Sequence, residues 1–156
     1  MSLIPCVIDA SVAVKLFLTE SYTQEVTMLF SDYIANPENE PFIVPDLFYI
    51  ECANIFWKRV MRRNDLDANL AKQHIADLRQ LGIPTVSMEQ LAERAVELGM
   101  IYDITAYDAS YVALAAERGI PLLTGDQRRI NSLVGSPYSL LSIPEYMTGY
   151  LAPELA

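Results

Sequence analysis

Four acidic residues stand where hydrophobic patterning would not put them: Asp9, Glu51, Asp108 and Asp126. Asp9 closes the apolar run Cys6, Val7, Ile8, and Asp126 follows Leu122, Leu123, Thr124 and Gly125, so each falls at the carboxyl end of an expected strand. Glu51 lies at the edge of a helical stripe marked by Phe48, Cys52, Ile55 and Phe56, and therefore points inward. Asp108 opens a segment, Thr105 to Ala115, that is apolar on nearly every face. Each acid also has a plain structural reading. Asp9 can cap a helix starting near Ser11, and Asp126 can cap one starting at Gln127. Glu51 can lean to solvent or pair with Lys58 or Arg59. The spacing Thr105 to Asp108 matches a reciprocal capping box, with Asp103 as a competing cap.

Read together, the four suggest more than four caps. Two acids end parallel strands on one sheet edge, and two more face inward from helices that open there. Like charges about 4 Å apart repel by roughly 4 kcal/mol per pair at an effective dielectric of 20, so a converged cluster needs cations. An all-oxygen ligand set favours a hard ion, Mg²⁺ or Mn²⁺. That is the apparatus of metal-assisted phosphodiester hydrolysis.

Other chemistries have little to work with. The single histidine, His74, is expected in an exposed helix among Lys72, Gln73 and Asp77, which disfavours histidine-based nucleophilic catalysis and histidine-rich zinc sites. Cys6 and Cys52 lie in apolar segments without a disulfide or metal-binding spacing, which points to a reducing cytoplasm. An aspartyl-phosphate mechanism would want a second acid two residues after Asp9, where Ser11 stands.

The elements that must position these acids alternate in type. Strands are expected at Pro5 to Asp9, Pro84 to Ser87, Ile120 to Thr124 and Tyr138 to Ile143, with Phe42 to Pro45 either a short strand or an extended entry to the next helix. Helices are expected from Ser11 to about Ala35 in one or two pieces, Asp46 to about Arg63, Asp67 to Leu81, Met88 to Leu98, Thr105 to Arg118 and Asp126 to Leu133, with Gly82, Gly99 and Gly119 as terminators. Short apolar strands alternating with helices imply a three-layer α/β/α sandwich with a central, mostly parallel sheet. Asp46 to Leu81 reads as an extra helical pair. At 156 residues the chain is one domain, 1–156, with residues 1–3 expected to be extraneous and 144–156 expected to be a C-terminal tail.

Charge narrows the partners. Eleven Lys plus Arg against twenty Asp plus Glu leaves a formal net charge of −9, which is poor for holding nucleic acid without bound cations or a local basic patch. The basic residues that flank the acids are Lys58, Arg59, Arg62 and Arg63 after Glu51, and Arg128 and Arg129 after Asp126. Lys58, Arg59, Arg128 and Arg129 are the expected contacts to nucleic-acid phosphates, although Arg62 and Arg63 equally suit a helix end. Tyr107, Tyr111, Phe48 and Trp57 read as core or interface. No uninterrupted apolar run is long enough for a membrane span.

With those residues set out, the chain resembles the PIN-domain ribonucleases, in particular VapC-like toxins of toxin–antitoxin pairs. The likeness rests on Val7 to Ser11, the inward Glu51, Tyr107 to Ala115 and Leu122 to Asp126. It implies a Mg²⁺- or Mn²⁺-dependent endoribonuclease with Asp9, Glu51, Asp108 and Asp126 as catalytic and metal-binding acids, supported by the hydroxyls of Ser11 and Thr124. It also implies a homodimer, and inhibition by a small antitoxin whose tail enters the active-site groove. The alternative from another class is a non-catalytic module of the same fold that binds a basic partner peptide in an acidic groove.

Overall fold

The computed structural model describes residues 1–152. Its strands are β1 (Cys6–Ile8), β2 (Phe42–Pro45), β3 (Thr85–Val86), β4 (Leu122–Leu123) and β5 (Leu140–Leu141), all parallel, in the order β3-β2-β1-β4-β5. Val7 pairs with Ile43 on one side and with Leu122 on the other, so β1 is central. Every residue of β1 and β4 is buried, as continuous apolar runs in a sheet covered on both faces must be. Phe42 to Pro45 is a strand in full, wedged between β1 and β3. The chain begins in the middle of the sheet, builds β2 and β3 outward, then crosses back to build β4 and β5. The strand order reverses at the β1/β4 pair, and there the connections leaving neighbouring strands diverge to open a crevice.

The helices are α1 (Ala10–Ala13), α2 (Thr23–Ala35), α3 (Leu47–Lys58), α4 (Ala68–Gln80), α5 (Met88–Tyr102), α6 (Ala106–Arg118), α7 (Gln127–Ser132) and α8 (Ile143–Leu151). They complete the α/β/α sandwich. Helix α6 lies against β1, β2 and β4 with α5 packed along it, and its residues Ala109 to Ala115 are all buried, as its apolar pattern requires. The expected first helix is two helices split by a 3₁₀ turn, Val14–Leu16, and by residues 17–22. Helix α3 runs on into a π-helical turn, Arg59–Arg63, and stops at Asn64 in the left-handed region.

Three expectations fail for identifiable reasons. Gly99 does not end α5, which continues to Tyr102 and terminates at Asp103 with φ of 53°. The glycine instead makes room, because a Cβ there would sit 2.9 Å from the Ile104 carbonyl oxygen. His74 is not exposed: its ring packs on Phe17 and Phe56 at centroid distances of 5.0 and 5.4 Å, and desolvation lowers its pKa. Residues 144–151 are not a loose tail but α8, which opens with a capping box between Ser142 and Glu145 and buries Tyr146 and Tyr150. The Tyr146 hydroxyl accepts from the Ile4 amide and donates to the Ile4 carbonyl, both at 2.8 Å, and Ser2 N donates to Tyr150 O at 3.3 Å. Ser2 and Ile4 are thereby held against α8. The last four residues of the expected tail, 153–156, lie outside the described residues.

Candidate active site

Asp9 leaves β1 at the switch point, and its amide still belongs to the sheet, donating to Leu123 O at 3.0 Å. Although it occupies the N-cap position of α1, its carboxylate makes no capping bond. Oδ2 instead accepts from Ser11 Oγ at 2.8 Å and from Thr124 Oγ1 at 2.7 Å. Both hydroxyls are aimed by the backbone: Ser11 Oγ accepts from Gly125 N at 2.9 Å, and Thr124 Oγ1 accepts from Asp126 N at 3.0 Å. With the N–H groups on their lone pairs, the single proton of each hydroxyl goes to Asp9. Two loops from neighbouring strands are thus stitched around one carboxylate that is only 2% exposed.

A buried charge needs a partner, and Asp9 has Arg129. Nη1 of Arg129 lies 2.6 Å from Asp9 Oδ2, off the N–H direction, which makes this an ion pair and not an aligned hydrogen bond. Nη2 of the same guanidinium donates to Asp108 Oδ1. Arg129 is 7% exposed and sits over the Tyr111 ring, 5.5 Å from its centroid. Burial by itself would lower its pKa, but Asp9 and Asp108 outweigh that and hold the guanidinium firmly charged. Arg129 was expected at an RNA phosphate. It is instead the internal counter-charge of the acids, and the signal for this was its place four residues before the inward Leu133.

The capping-box reading of Asp108 is half right. Thr105 Oγ1 accepts from Asp108 N at 3.1 Å, while the Asp108 carboxylate turns away to Arg129. Glu51 completes the group from α3. It pairs with neither Lys58 nor Arg59, its Oε1 is buried without a hydrogen-bond partner, and its pKa is raised to about 7 by desolvation and then by the charge of Asp9, against the opposing pull of Arg129. The Tyr111 hydroxyl faces Glu51, also without a well-formed bond, and its own pKa is driven up by burial and the two nearby carboxylates. Tyr111 is a site residue that its apolar setting in the sequence concealed.

Asp126 behaves differently. It stands on the same sheet edge, where one carboxylate oxygen, Oδ1, caps α7 by accepting from Arg128 N at 3.0 Å, while its amide donates to the Thr124 hydroxyl that holds Asp9. Asp9 and Asp108 are bridged by the guanidinium with Glu51 beside them, and among the described residues no three His, Cys, Asp or Glu side chains already converge as chelators. The donor set is nonetheless all oxygen, with one buried oxygen of Glu51 unpartnered, and this fits a hard divalent cation.

An open groove of about 680 Å³ runs from these acids along α3 and the start of α6, walled by Leu47, Ile50, Ala53, Trp57 and Tyr107 and floored by Glu51 and Asp108. Trp57 and Tyr107 are exposed here, whereas Phe48 and Tyr111 are core. Of the expected phosphate contacts, Lys58 is exposed and the Arg128 side chain is 96% exposed. Arg59 is committed to Asp65 at 2.7 Å and Glu20 at 3.1 Å. Arg62 lies over the Trp57 ring.

The fold and site define an α/β/α domain with a carboxylate pocket at the switch point of its parallel sheet. The PIN domain family model matches residues 6–133, and the chain belongs to that family. Ribonuclease VapC3 of Pyrobaculum aerophilum is 29% identical over 125 residues, which are 78% of this chain and 89% of the relative. The crystal structure of PAE2754 from Pyrobaculum aerophilum matches with a TM-score of 0.62 at 19% identity, covering 94% of this chain and 88% of that one. A toxin–antitoxin complex from Klebsiella pneumoniae matches with a TM-score of 0.57 at 15% identity, covering 88% and 97%. These last two likenesses are of fold. No helix among the described residues is long and apolar enough to cross a membrane.

Proposed function

We propose that this chain is a divalent-cation-dependent endoribonuclease that serves as the toxin of a toxin–antitoxin pair. The observation that carries the reading is the buried, unpartnered Glu51 oxygen beside Asp9 and Asp108 in a pocket of oxygen donors alone. The likeness to Ribonuclease VapC3 supplies the substrate class. Asp9, Glu51, Asp108 and Asp126 would hold Mg²⁺ or Mn²⁺, Asp126 through the oxygen that its cap leaves unused. When bound, such an ion lowers the pKa of a water and offsets charge on the scissile phosphate.

The remaining roles fall to the chain. Ser11 and Thr124 fix the Asp9 carboxylate in one orientation through the bonds described above. Glu51, with one buried oxygen unpartnered, would complete the site or position the attacking water. The exposed Lys58 and Arg128, the latter held only by a 4.0 Å ion pair to Asp126, would meet phosphates on either side of the scissile bond. A basic segment of a small antitoxin would suit the acidic floor of the groove, and its apolar wall would accept that partner's side chains. The exposed Ile50, Trp57 and Tyr107 also support pairing of two copies, which gel filtration at micromolar concentration tests. The two buried free cysteines suit a reducing cytoplasm.

Cleavage of a structured RNA in Mg²⁺ or Mn²⁺, abolished by chelator and by Asp9→Asn, is the expected result. Cleavage that survives both treatments would reject the mechanism. A non-catalytic module that binds a basic peptide would instead hold such a peptide tightly and gain no thermal stability from Mn²⁺.

A further inference from the structure

The geometry points to Arg129 as an internal competitor for the cation: its guanidinium bridges Asp9 and Asp108 in the resting protein and must leave that bridge for a divalent ion to be held there. The inference rests on the proposed cation-dependent site and adds a gate to it. Asp9 Oδ2 already carries two hydroxyl donors and the guanidinium, so this oxygen has no free lone-pair direction for a further ligand. Asp108 Oδ1 is taken by the same guanidinium. A single side chain therefore blocks one oxygen on each of two acids that come from elements about a hundred residues apart in sequence.

Electrostatics makes the two occupants exclusive. A dication beside a guanidinium meets twice the repulsion of two single charges at the same distance, and at the Asp9 end, where Asp9 and Arg129 are both buried, little water screens it. Hydrogen bonding does not anchor every nitrogen of Arg129, because Nε is buried without an acceptor and Nη1 meets Asp9 off-axis. The open groove adjoining Asp108 offers a place to which the freed guanidinium can swing. There it would stand where a phosphate of a bound RNA runs past the acids, so release from the acids and contact with substrate would be one motion.

The test measures binding of Mn²⁺ alone to the full chain by isothermal titration calorimetry, in wild type, Arg129→Met and Arg129→Lys. Competition predicts that Arg129→Met lowers the Kd for Mn²⁺ by about tenfold or more, the scale of an ordinary coupling between ligands. The same variant should lower the melting temperature of the chelator-treated protein, since Asp9 and Asp108 lose their counter-charge. Arg129→Lys, which keeps a charge but cannot span both acids, should fall between the two. A purely structural arginine moves both readouts the same way, so that a less stable Arg129→Met binds Mn²⁺ more weakly. That result, or an unchanged Kd, overturns the competition while leaving a cation site in place. Absence of Mn²⁺ binding at millimolar concentration in all three proteins overturns it together with the cation dependence on which it rests. If Arg129→Met does not fold, Arg129→Lys decides: an affinity no tighter than wild type rejects the gate.

Discussion

Thr124 Oγ1 donates to Asp9 Oδ2 across a sequence separation of 115 residues, in a bond buried from solvent. The same hydroxyl accepts from Asp126 N, so one atom links the end of β1, the end of β4 and the start of α7. Thr124→Val keeps the shape and removes both bonds, leaving a buried carboxylate short of a donor. The expected loss is about 1–3 kcal/mol of stability, read from the denaturant midpoint. Thr124→Ser, which keeps the hydroxyl, should lose less.

Glu51 should make the metal-free protein sensitive to pH. Its folded pKa stands at about 7, above its ordinary value of 4.5. Below that window both folded and unfolded chains carry the proton, whereas within it only the folded chain does. Stability therefore falls as pH rises from the lower value to the upper and levels off beyond it. Glu51→Gln carries no such loss. In chelator its melting temperature should exceed that of wild type at pH 8, and the gap should close by pH 5. A gap independent of pH would place the perturbation elsewhere.

Arg128 and Arg59 should separate by readout. The Arg128 side chain is 96% exposed and held only by a 4.0 Å ion pair to Asp126, so it can turn to a phosphate, and Arg128→Ala should reduce the slope of log affinity for RNA against log salt by about 1 and leave the melting temperature unchanged. Arg59 holds Glu20 and Asp65, which ties the region after α1 to the end of α3. Arg59→Ala should lower stability and leave the salt slope alone.

Gly99→Ala tests the turn between α5 and α6. The new methyl would lie 2.9 Å from a backbone carbonyl oxygen that also accepts no relief from a flexible side chain. Although alanine ordinarily favours a helix, overpacking here should destabilise by about 1–3 kcal/mol in thermal or urea unfolding.

What could be read from the residues alone is what periodicity and type record. Runs such as Cys6 to Ile8 and Leu122 to Leu123 announced buried parallel strands, the seven buried residues from Ala109 to Ala115 announced a central helix, and Asp9 and Asp126 were placed at strand ends on one sheet edge. Local spacing misled where a residue's neighbours come from elsewhere in the chain. Gly99 looks like a terminator until the Ile104 carbonyl is seen against it, and His74 looks exposed until Phe17 and Phe56 close over it. Pattern likewise could not foresee that α8 would be held by Tyr146 on Ile4.

The acids show the division most clearly. Composition pointed to carboxylate oxygens, because a single histidine and two cysteines without metal-binding spacing leave little for histidine- or thiol-based chemistry. Which carboxylates meet, and what neutralises them, was decided only by folding. Asp9, Glu51 and Asp108 come together because β1, α3 and α6 pack there, Arg129 bridges two of them, and Asp126 caps its own helix start at the same sheet edge. The reason is physical: a capping bond is satisfied within a few residues and is written in local sequence, whereas the pairing of buried charges depends on distances that exist only once the sheet has brought its loops to one edge.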